Sequence, residues 1–416
     1  MPVSKLPNRW VIAFAAILIQ ICCGAVYSWS VFVKPLLALE SWTLIQVSAT
    51  FTITLACIGI GALAGGLWQD RSGPRLVISI AGLLYGLGYF LASTAISHRS
   101  LAGLYTGYGV LGGIAIGMAY ICPVATVTKW FPDKRGLMIG ATVMGYGAGA
   151  VIISPIAARL IIRVGVPATF EIFAIAFVVV IVLAAQIHVV PPADWRPARM
   201  TETHVSRSAA KIDFTVMQAI RTWRFWLLWL MLSLNTSAGI MIISQASPLA
   251  QQQAGMTVLQ ASAAVGLISI FNAIGRVFWA WVSDFAGRSR VYFTLFAIQV
   301  FLFFFLPRVH EALLFEVVVC SIALCYGGGF AVLPAFAADF FGSKYIGGIY
   351  GWIILAMWAV AAIPSPMLIA RVRETTGTYE YAIYVIGVVM LLSLPLPILA
   401  GRVAARGPVA QALQSA

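Results

Sequence analysis

An arginine within an apolar stretch is the residue of this chain best placed to do chemistry. Arg276 lies in the apolar run 261–282, eight positions before Asp284. At ~1.5 Å per helical residue, that spacing puts Arg276 about 12 Å from the charged end of the run. A bilayer hydrocarbon core is about 30 Å thick, so the guanidinium is predicted near mid-depth, where a charge is costly unless it faces a polar cavity or pairs with an anion. Because no acidic residue is predicted at comparable depth, we interpret Arg276 as the receptor of an anionic substrate.

One polar residue shares a helix face with this arginine. Asn272 precedes Arg276 by four positions, which places both side chains on the same side of a helix. Arginine can hold a carboxylate through two parallel hydrogen bonds, and asparagine can donate or accept beside it. Two structural alternatives remain open. Arg276 could extend to the membrane surface, or Asn272 and backbone carbonyls could tie it into a purely structural cluster.

Four aromatic residues are candidates for the wall of the same site. Tyr27, Tyr120, Tyr326 and Phe330 lie several residues inside apolar segments, whereas aromatic residues at a membrane interface lie near segment ends. Such residues can line a pocket and offer hydroxyl donors to an anion. Packing against lipid or neighbouring helices is the alternative for each of them.

The composition indicates the class of protein. The chain has 416 residues, of which 61% are hydrophobic and 9% are charged, against about 25% charged residues in soluble domains. We therefore predict a polytopic, all-α membrane protein. A net charge of +13 would suggest nucleic-acid binding in a soluble protein, but these cations cluster at the ends of apolar segments, where they set topology. No nucleic-acid partner is predicted.

Twelve apolar segments and one polar stretch define the predicted architecture. Each segment is near the about 20 residues that a membrane-spanning helix needs, and Pro, Arg and Ser concentrate in the polar stretch. We predict two pseudo-symmetric bundles of six helices, 1–190 and 223–416, joined by a cytoplasmic linker, 191–222. The predicted spans are 10–33, 46–68, 76–97, 101–127, 137–161, 167–190, 224–249, 259–282, 291–307, 311–337, 346–370 and 381–401.

The cationic residues predict the orientation of the chain. With the N-terminus placed in the cytoplasm, most of the 26 Lys and Arg residues fall on the cytoplasmic side, as the positive-inside rule requires. Both termini are therefore predicted to be cytoplasmic, and the location is predicted to be the inner membrane.

The two predicted halves repeat a short charged motif. The second span ends in Gly66-Leu-Trp-Gln-Asp70-Arg71-Ser-Gly73-Pro-Arg75, and the eighth ends in Trp279-Ala-Trp-Val-Ser-Asp284-Phe-Ala-Gly287-Arg288. Repeats of this kind are typical of transporters that rock two bundles about a central site. In these residues the chain resembles the major facilitator superfamily, whose signature loop reads Gly-x-x-x-Asp-Arg-x-Gly-x-Arg. The resemblance implies a cytoplasmic conformational latch formed by Asp70, Arg71, Arg75, Asp284 and Arg288. Simple anchoring of helix ends at the lipid headgroups is the alternative.

A narrower resemblance concerns the substrate. The runs Cys23-Gly-Ala-Val-Tyr27-Ser-Trp-Ser and Trp130-Phe-Pro-Asp-Lys-Arg-Gly136, with the arginine of span eight, are similar to the oxalate:formate antiporter and monocarboxylate porter group. Within that group the chain most resembles bacterial L-lactate transporters. In the group the span-eight arginine binds the substrate carboxylate among aromatic residues of spans one, four and ten. The resemblance therefore implies substrate-binding roles for Arg276, Tyr27, Tyr120, Tyr326 and Phe330.

Departures from that group bear on the substrate charge. Oxalate-type members carry a second cation in span eleven, where this chain has Met357, and animal monocarboxylate porters carry a lysine in span one, where it has Val31. Animal porters also carry an aspartate where this chain has Asn272. One buried cation neutralises one carboxylate, whereas a dianion would leave a charge unpaired in a low-dielectric site. We therefore predict alternating-access, proton-coupled transport of a small monocarboxylate such as lactate or pyruvate. An anion exchanger of the oxalate:formate type is the alternative.

The coupling proton has no obvious carrier in the sequence. The 13 acidic residues and the 4 histidines fall near helix ends or in the linker, so the substrate carboxylate is itself a candidate proton acceptor. No cluster of nucleophiles, metal ligands or paired carboxylates suggests an enzyme, and neither a cofactor nor a metal is predicted. We expect a monomer whose partners are the substrate, a proton and the lipid bilayer.

Overall fold

The helices of the computed structural model begin at identifiable capping residues. The structure describes residues 7–39, 42–192, 195, 197, 213–358, 371–372 and 375–405. Thr43 and Thr257 each start a helix and exchange hydrogen bonds with a glutamine three residues later, Gln46 and Gln260 respectively. This capping box satisfies backbone N–H groups that the first turn leaves unpaired. The same device therefore opens corresponding helices in the two halves of the chain.

The helices follow one another with short connections. In the N-terminal half they are α1 (Arg9–Gly24), a 3₁₀ turn (Ala25–Ser28), α2 (Trp29–Leu39), α3 (Leu44–Ser72), α4 (Pro74–Ser97), α5 (Leu101–Leu104), a π-helical segment (Tyr105–Gly112), α6 (Gly113–Trp130) and α7 (Arg135–Ala185). In the C-terminal half they are α8 (Val216–Ile220), α9 (Trp223–Gln253), α10 (Val258–Ala286), α11 (Arg288–Phe305), a 3₁₀ turn (Leu306–Arg308), α12 (Ala312–Phe341), α13 (Ile346–Met357), α14 (Glu380–Ser393) and α15 (Pro395–Ala405).

Ten helical stretches in the described residues are long and apolar enough to cross a bilayer. α7 counts once among them, although Gly165, with φ of 83°, breaks it into two arms, 135–164 and 166–185. That backbone conformation is one that glycine adopts without strain. α13 is a shorter apolar helix, because residues 359–370 of the predicted eleventh span lie outside the described part of the chain. With the arms of α7 counted separately, the helix order is consistent with the twelve predicted spans. Most of the predicted linker, 191–222, also lies outside the described residues.

Large apolar side chains cover the outside of the helix bundle. Phe14, Ile162, Ile175, Leu183 and Phe301 are all largely exposed. A soluble monomer rarely exposes so much apolar surface, whereas lipid tails are a suitable environment for it. Together with the apolar helices, this surface confirms the prediction of an all-α, multi-pass membrane protein.

Several helices extend beyond their predicted ends on one side of the bundle. Gly73, Gly287 and Gly342, all with positive φ, follow α3, α10 and α12. The predicted apolar runs stop at the first polar residues, but the helices continue until a glycine leaves the helical conformation. We call this side, around Asp70 and Asp284, the latch end of the molecule.

Candidate functional site

The N-terminal and C-terminal halves meet along two helix pairs. In the first pair, α3 packs on α13. A Cβ atom added to Gly66, near the latch end, would collide with the Gly347 carbonyl group. Farther along the same pair, a Cβ atom added to Gly59 would lie 3.2 Å from Leu355 Cα. The two helices therefore diverge with distance from the latch end.

The second helix pair, the first arm of α7 on α10, diverges in the same direction. A Cβ atom added to Gly136 would collide with the Ala280 carbonyl oxygen, whereas one added to Gly147 would lie 3.4 Å from Ala273 Cβ. The two halves are thus closed against each other at the latch end. Any central site lies beyond that closure.

Arg276 of α10 lies between the two halves. It is 2% exposed. Its Nε donates to Asn272 Oδ1 at 3.2 Å, and its Nη1 donates across the interface to the backbone oxygen of Val143 at 2.9 Å. A guanidinium has five N–H donors, so these bonds use two of the five and leave three. None of the ion pairs among the described residues includes Arg276.

These contacts bear on both structural alternatives for the arginine. Burial between the halves is incompatible with extension of Arg276 to the membrane surface. The bonds to Asn272 and Val143 do form the anticipated polar cluster, but they leave guanidinium donors beside a cavity. Arg276 can therefore be held by the protein and still bind an anion.

A cavity of about 320 Å³ opens beside Arg276. Its volume is at the lower end of the about 300–1,000 Å³ typical of small-molecule sites, which suits a ligand of few heavy atoms. Among the described residues that line it, Arg276 alone carries a charge. The lining residues come from both halves and are Tyr27, Ile58, Tyr120, Tyr146, Arg276, Phe330, Ile354 and Trp358.

Aromatic rings surround the guanidinium. The ring of Tyr146 contacts those of Tyr27 and Tyr120 edge-on, with centroids 5.2 Å and 5.4 Å apart. Arg276 Cζ lies 5.9 Å from the Tyr146 ring centre and 5.8 Å from that of Phe330. The faces of such rings attract a cation. The rings therefore stabilise the buried charge without neutralising it.

The structure brings four of the six predicted substrate-binding residues to the cavity wall: Arg276, Tyr27, Tyr120 and Phe330. Asn272 lies behind the wall as a hydrogen-bond partner of Arg276. Tyr326 also lies outside the lining and packs its ring on Phe330, with centroids 5.5 Å apart. These two residues are placed to orient the wall rather than to form it.

Two large aromatic residues of the wall were not predicted from the sequence. Tyr146 stands between two glycines, Gly145 and Gly147, in the middle of a span, and a large side chain among small ones is a usable signal of a helix interface. Trp358 lies next to Met357, the position at which oxalate-type relatives were expected to carry a cation. Met357 is fully buried and outside the lining, whereas Trp358 lines the cavity.

Replacing Asn272 by alanine is expected to weaken ligand binding without loss of protein from the membrane. The substitution removes the acceptor that orients the Arg276 Nε–H, and a hydrogen bond to a charged group contributes about 1.5–3 kcal/mol. We expect at least an about 10-fold rise in the half-saturation concentration for transport. Ser269→Ala is the matched control, because it also removes a polar group from α10, where Ser269 bonds only within its own helix. Unchanged affinity in Asn272→Ala would assign Asn272 to packing.

At the latch end, two aspartates each cap a helix of the opposite half. Asp70 Oδ2 accepts the backbone N–H of Gly348, near the start of α13, at 2.7 Å. Asp284 accepts the backbone N–H groups of Gly136 and Leu137, at the start of α7, both at 2.9 Å. The start of a helix carries partial positive charge, which favours a carboxylate there. Both contacts join the halves.

The remaining charges of the predicted latch take different positions. Arg288 pairs with Asp284 at 2.7 Å. Arg71 is exposed, and Arg75 donates to Gln186 of its own half at 2.8 Å. Inter-half contact is made instead by Arg135, which pairs with Asp339 at 2.6 Å. The motif alone did not single out this pair, since its members lie at the ends of other helices.

Known proteins were compared with this chain as a whole. The family model described as Major Facilitator Superfamily matches residues 16–366. The oxalate:formate antiporter of Oxalobacter formigenes is 27% identical over 86% of this chain and 83% of its own length. Apicoplast pyruvate carrier 1 of Toxoplasma gondii is 25% identical over 89% of this chain and 85% of its own.

The fold also matches a solved structure. The crystal structure of the Major Facilitator Superfamily transporter FucP in the outward conformation aligns with a TM-score of 0.74 at 13% identity. The alignment covers 94% of this chain and 98% of that one. At this identity the similarity concerns the fold.

Proposed function

We propose, from the premise that this chain belongs to the Major Facilitator Superfamily, that it carries a small monocarboxylate anion, of the lactate or pyruvate type, across the cytoplasmic membrane with a proton. The observation that carries the proposal is Arg276, a buried cation on the wall of a small cavity between the halves. A carboxylate bound there compensates the charge of the guanidinium and receives donors in a forked geometry.

The single cation of the described wall favours a monoanion. A bound dianion would keep one negative charge unpaired among aromatic and aliphatic side chains, where an isolated charge costs several kcal/mol. Both relatives described above are named for small carboxylates: oxalate and formate in one case, pyruvate in the other. Their names support the class of substrate, and the charge of the cavity selects the monocarboxylate within it.

The substrate carboxylate is the proposed acceptor of the coupled proton. Apart from Arg276, the titratable side chains on the described wall are tyrosines. Residues 359–370, which lie outside the described part of the chain, include no Asp, Glu or His in the sequence. A carboxylate that loses its contact with Arg276 during the transport cycle loses the charge that favours its ionised form, so its proton affinity rises.

The proposed transport cycle uses the closure observed at the latch end. The substrate reaches Arg276 from the side on which the helix pairs diverge, and the halves then rock about the site. Opening the other side requires the Asp70 and Asp284 caps to break. Under the proposed orientation, with both termini in the cytoplasm, the latch end faces the cytoplasm. We propose that a monomer carries out the cycle.

Uptake of labelled L-lactate into proteoliposomes tests the proposed function. With an empty lumen and an inward proton gradient, we expect transient accumulation above equilibrium that a protonophore abolishes. Uptake that starts only after the lumen is preloaded with lactate, oxalate or formate would assign the protein to the exchanger alternative. Failure to transport any small carboxylate in either format would contradict the assignment of Arg276 as a carboxylate receptor.

A second cation on the cavity wall is expected to change the charge preference. Ile354 lines the cavity, and Ile354→Lys would place an ammonium group opposite Arg276. We expect the preference for oxalate over lactate to rise about 10-fold or more, since a paired second charge removes the penalty against a dianion. Ile354→Met, which is similar in size but uncharged, is the control. Competition of oxalate against labelled lactate measures the ratio, and an equal ratio in both variants would refute the charge-matching argument.

A further inference from the structure

Two hydroxyl groups from opposite halves meet beside the cavity. Tyr120 Oη of α6 and Tyr350 Oη of α13 are 3.3 Å apart. Tyr120 lines the cavity, whereas Tyr350 is 1% exposed and stands outside the described lining. A side chain that faces the substrate is therefore hydrogen-bonded to a buried residue of the other half.

The direction of this hydrogen bond depends on what occupies the cavity. A phenolic hydroxyl has one hydrogen to donate and can accept through its oxygen, whereas an ionised carboxylate only accepts. When Tyr120 donates to a bound carboxylate, Tyr350 has to donate to Tyr120. The separation of 3.3 Å exceeds the about 2.7–2.8 Å optimum for such a bond. A charged acceptor at the end of the chain polarises and strengthens each bond in it.

Tyr120 is otherwise held by its own half of the molecule. Gln20 Nε2 of α1 donates to the backbone oxygen of Tyr120 at 3.1 Å, and the Tyr120 ring packs edge-on against Tyr146. These contacts fix the backbone and ring but leave the hydroxyl hydrogen free to rotate. Among the described residues, Tyr350 is the one whose hydroxyl bonds that of Tyr120.

The contact belongs to the state in which the latch end is closed. Tyr350 lies two residues after Gly348, whose backbone N–H is bound by Asp70 of the other half. One residue farther along, Gly351 packs directly against the Ala62 backbone of α3. Tyr350 therefore moves with the part of α13 that must separate from the N-terminal half when the latch end opens.

We propose that Tyr350 is a positioning residue for substrate binding, which acts by donating to Tyr120 and so directs the Tyr120 hydroxyl hydrogen at the bound carboxylate. This inference rests on the proposed function. Because Tyr350 and Tyr120 belong to opposite halves, the relay exists while the latch end is closed and is broken when that end opens. Tyr350 thus gives the carrier a higher affinity for its anion at the face opposite the latch end than at the latch end.

Tyr350→Phe tests the proposal, because it removes one oxygen and keeps the ring. The half-saturation concentration for labelled L-lactate is measured at the external face in intact cells and at the cytoplasmic face in inside-out vesicles. Loss of one hydrogen bond corresponds to an about 3- to 10-fold weakening. We expect that change at the face opposite the latch end, which is the external face under the proposed orientation, and a change below about 2-fold at the latch end.

Two comparisons separate a relay from a packing effect. Tyr85→Phe is the matched control, since it removes a buried hydroxyl that bonds the Cys22 backbone oxygen inside the N-terminal half, and it is expected to leave both faces unchanged. In a Tyr120→Phe background, Tyr350→Phe is expected to have no further effect at either face. Equal weakening at both faces, or an effect that adds to that of Tyr120→Phe, would overturn the proposal.

A second variant and the wild-type protein complete the test. Tyr350→Met also lacks a donor, and it should give the same one-sided loss if Tyr350→Phe does not reach the membrane. A wild-type protein that transports no small carboxylate would refute the proposed function, and the inference with it. A wild-type protein that transports lactate while the Tyr350 variants keep its affinity at both faces would refute the positioning role alone.

Discussion

Lactate transport by Arg276→Lys is expected to fall about 30-fold or more, with the protein still inserted and folded. Lysine keeps the charge but lacks the planar fork, so it cannot give two parallel hydrogen bonds to a carboxylate. It also cannot maintain together the present bonds to Asn272 and to the Val143 backbone oxygen. Disrupting a buried, hydrogen-bonded charge contact costs about 2–5 kcal/mol, and the lower bound corresponds to the stated loss.

Arg290→Lys is the matched control for this experiment. Arg290 is exposed at the start of α11, where a change of cation leaves the cavity intact. Initial rates of labelled L-lactate uptake into proteoliposomes, normalised to inserted protein, compare the two variants. A rate in Arg276→Lys equal to that of Arg290→Lys would exclude Arg276 as the carboxylate receptor.

Opening of the latch end is the expected result of Asp284→Ala. The substitution removes the acceptor of two backbone N–H groups at the start of α7 and the partner of Arg288. Loss of a charged helix cap of this kind costs about 2–3 kcal/mol. Since the cap exists while the halves are closed there, the equilibrium should shift about 30- to 150-fold toward the open state.

Distances between spin labels measure this shift directly. Leu76→Cys and Phe285→Cys introduce labelling sites at exposed positions near the latch end, one in each half, and the six native cysteines are buried. Electron–electron resonance in lipid should show a longer distance gaining population in Asp284→Ala.

Glu311→Ala is the control for the latch experiment. Glu311 also accepts two backbone N–H groups at a helix start, those of Leu313 and Leu314, but within the C-terminal half. Its removal should leave the distance distribution unchanged. The same shift in both variants would mean that any lost cap loosens the protein, and that Asp284 has no specific role in closure.

The site shows where one-dimensional information suffices and where it does not. Arg276 was found from the sequence because an isolated cation far inside an apolar run is costly in any bilayer. Tyr326 and Phe330 were equivalent by the same reasoning, since residues four apart share a helix face. Only Phe330 lines the cavity. In a bundle whose helices are apolar all round, hydropathy does not tell which way a side chain points within that face.

The sequence by itself determined the membrane class, the order of the apolar segments, the repeated charged motif and the buried arginine. Each of these depends on run length, local spacing or the cost of a charge in lipid, which are properties of the chain read in one direction. The tertiary structure alone decided that Arg276 reaches the Val143 carbonyl, that Asp284 caps α7, and that Tyr120 meets Tyr350. These partners lie more than a hundred residues apart along the chain, and only the packing of one half on the other brings them within hydrogen-bond distance.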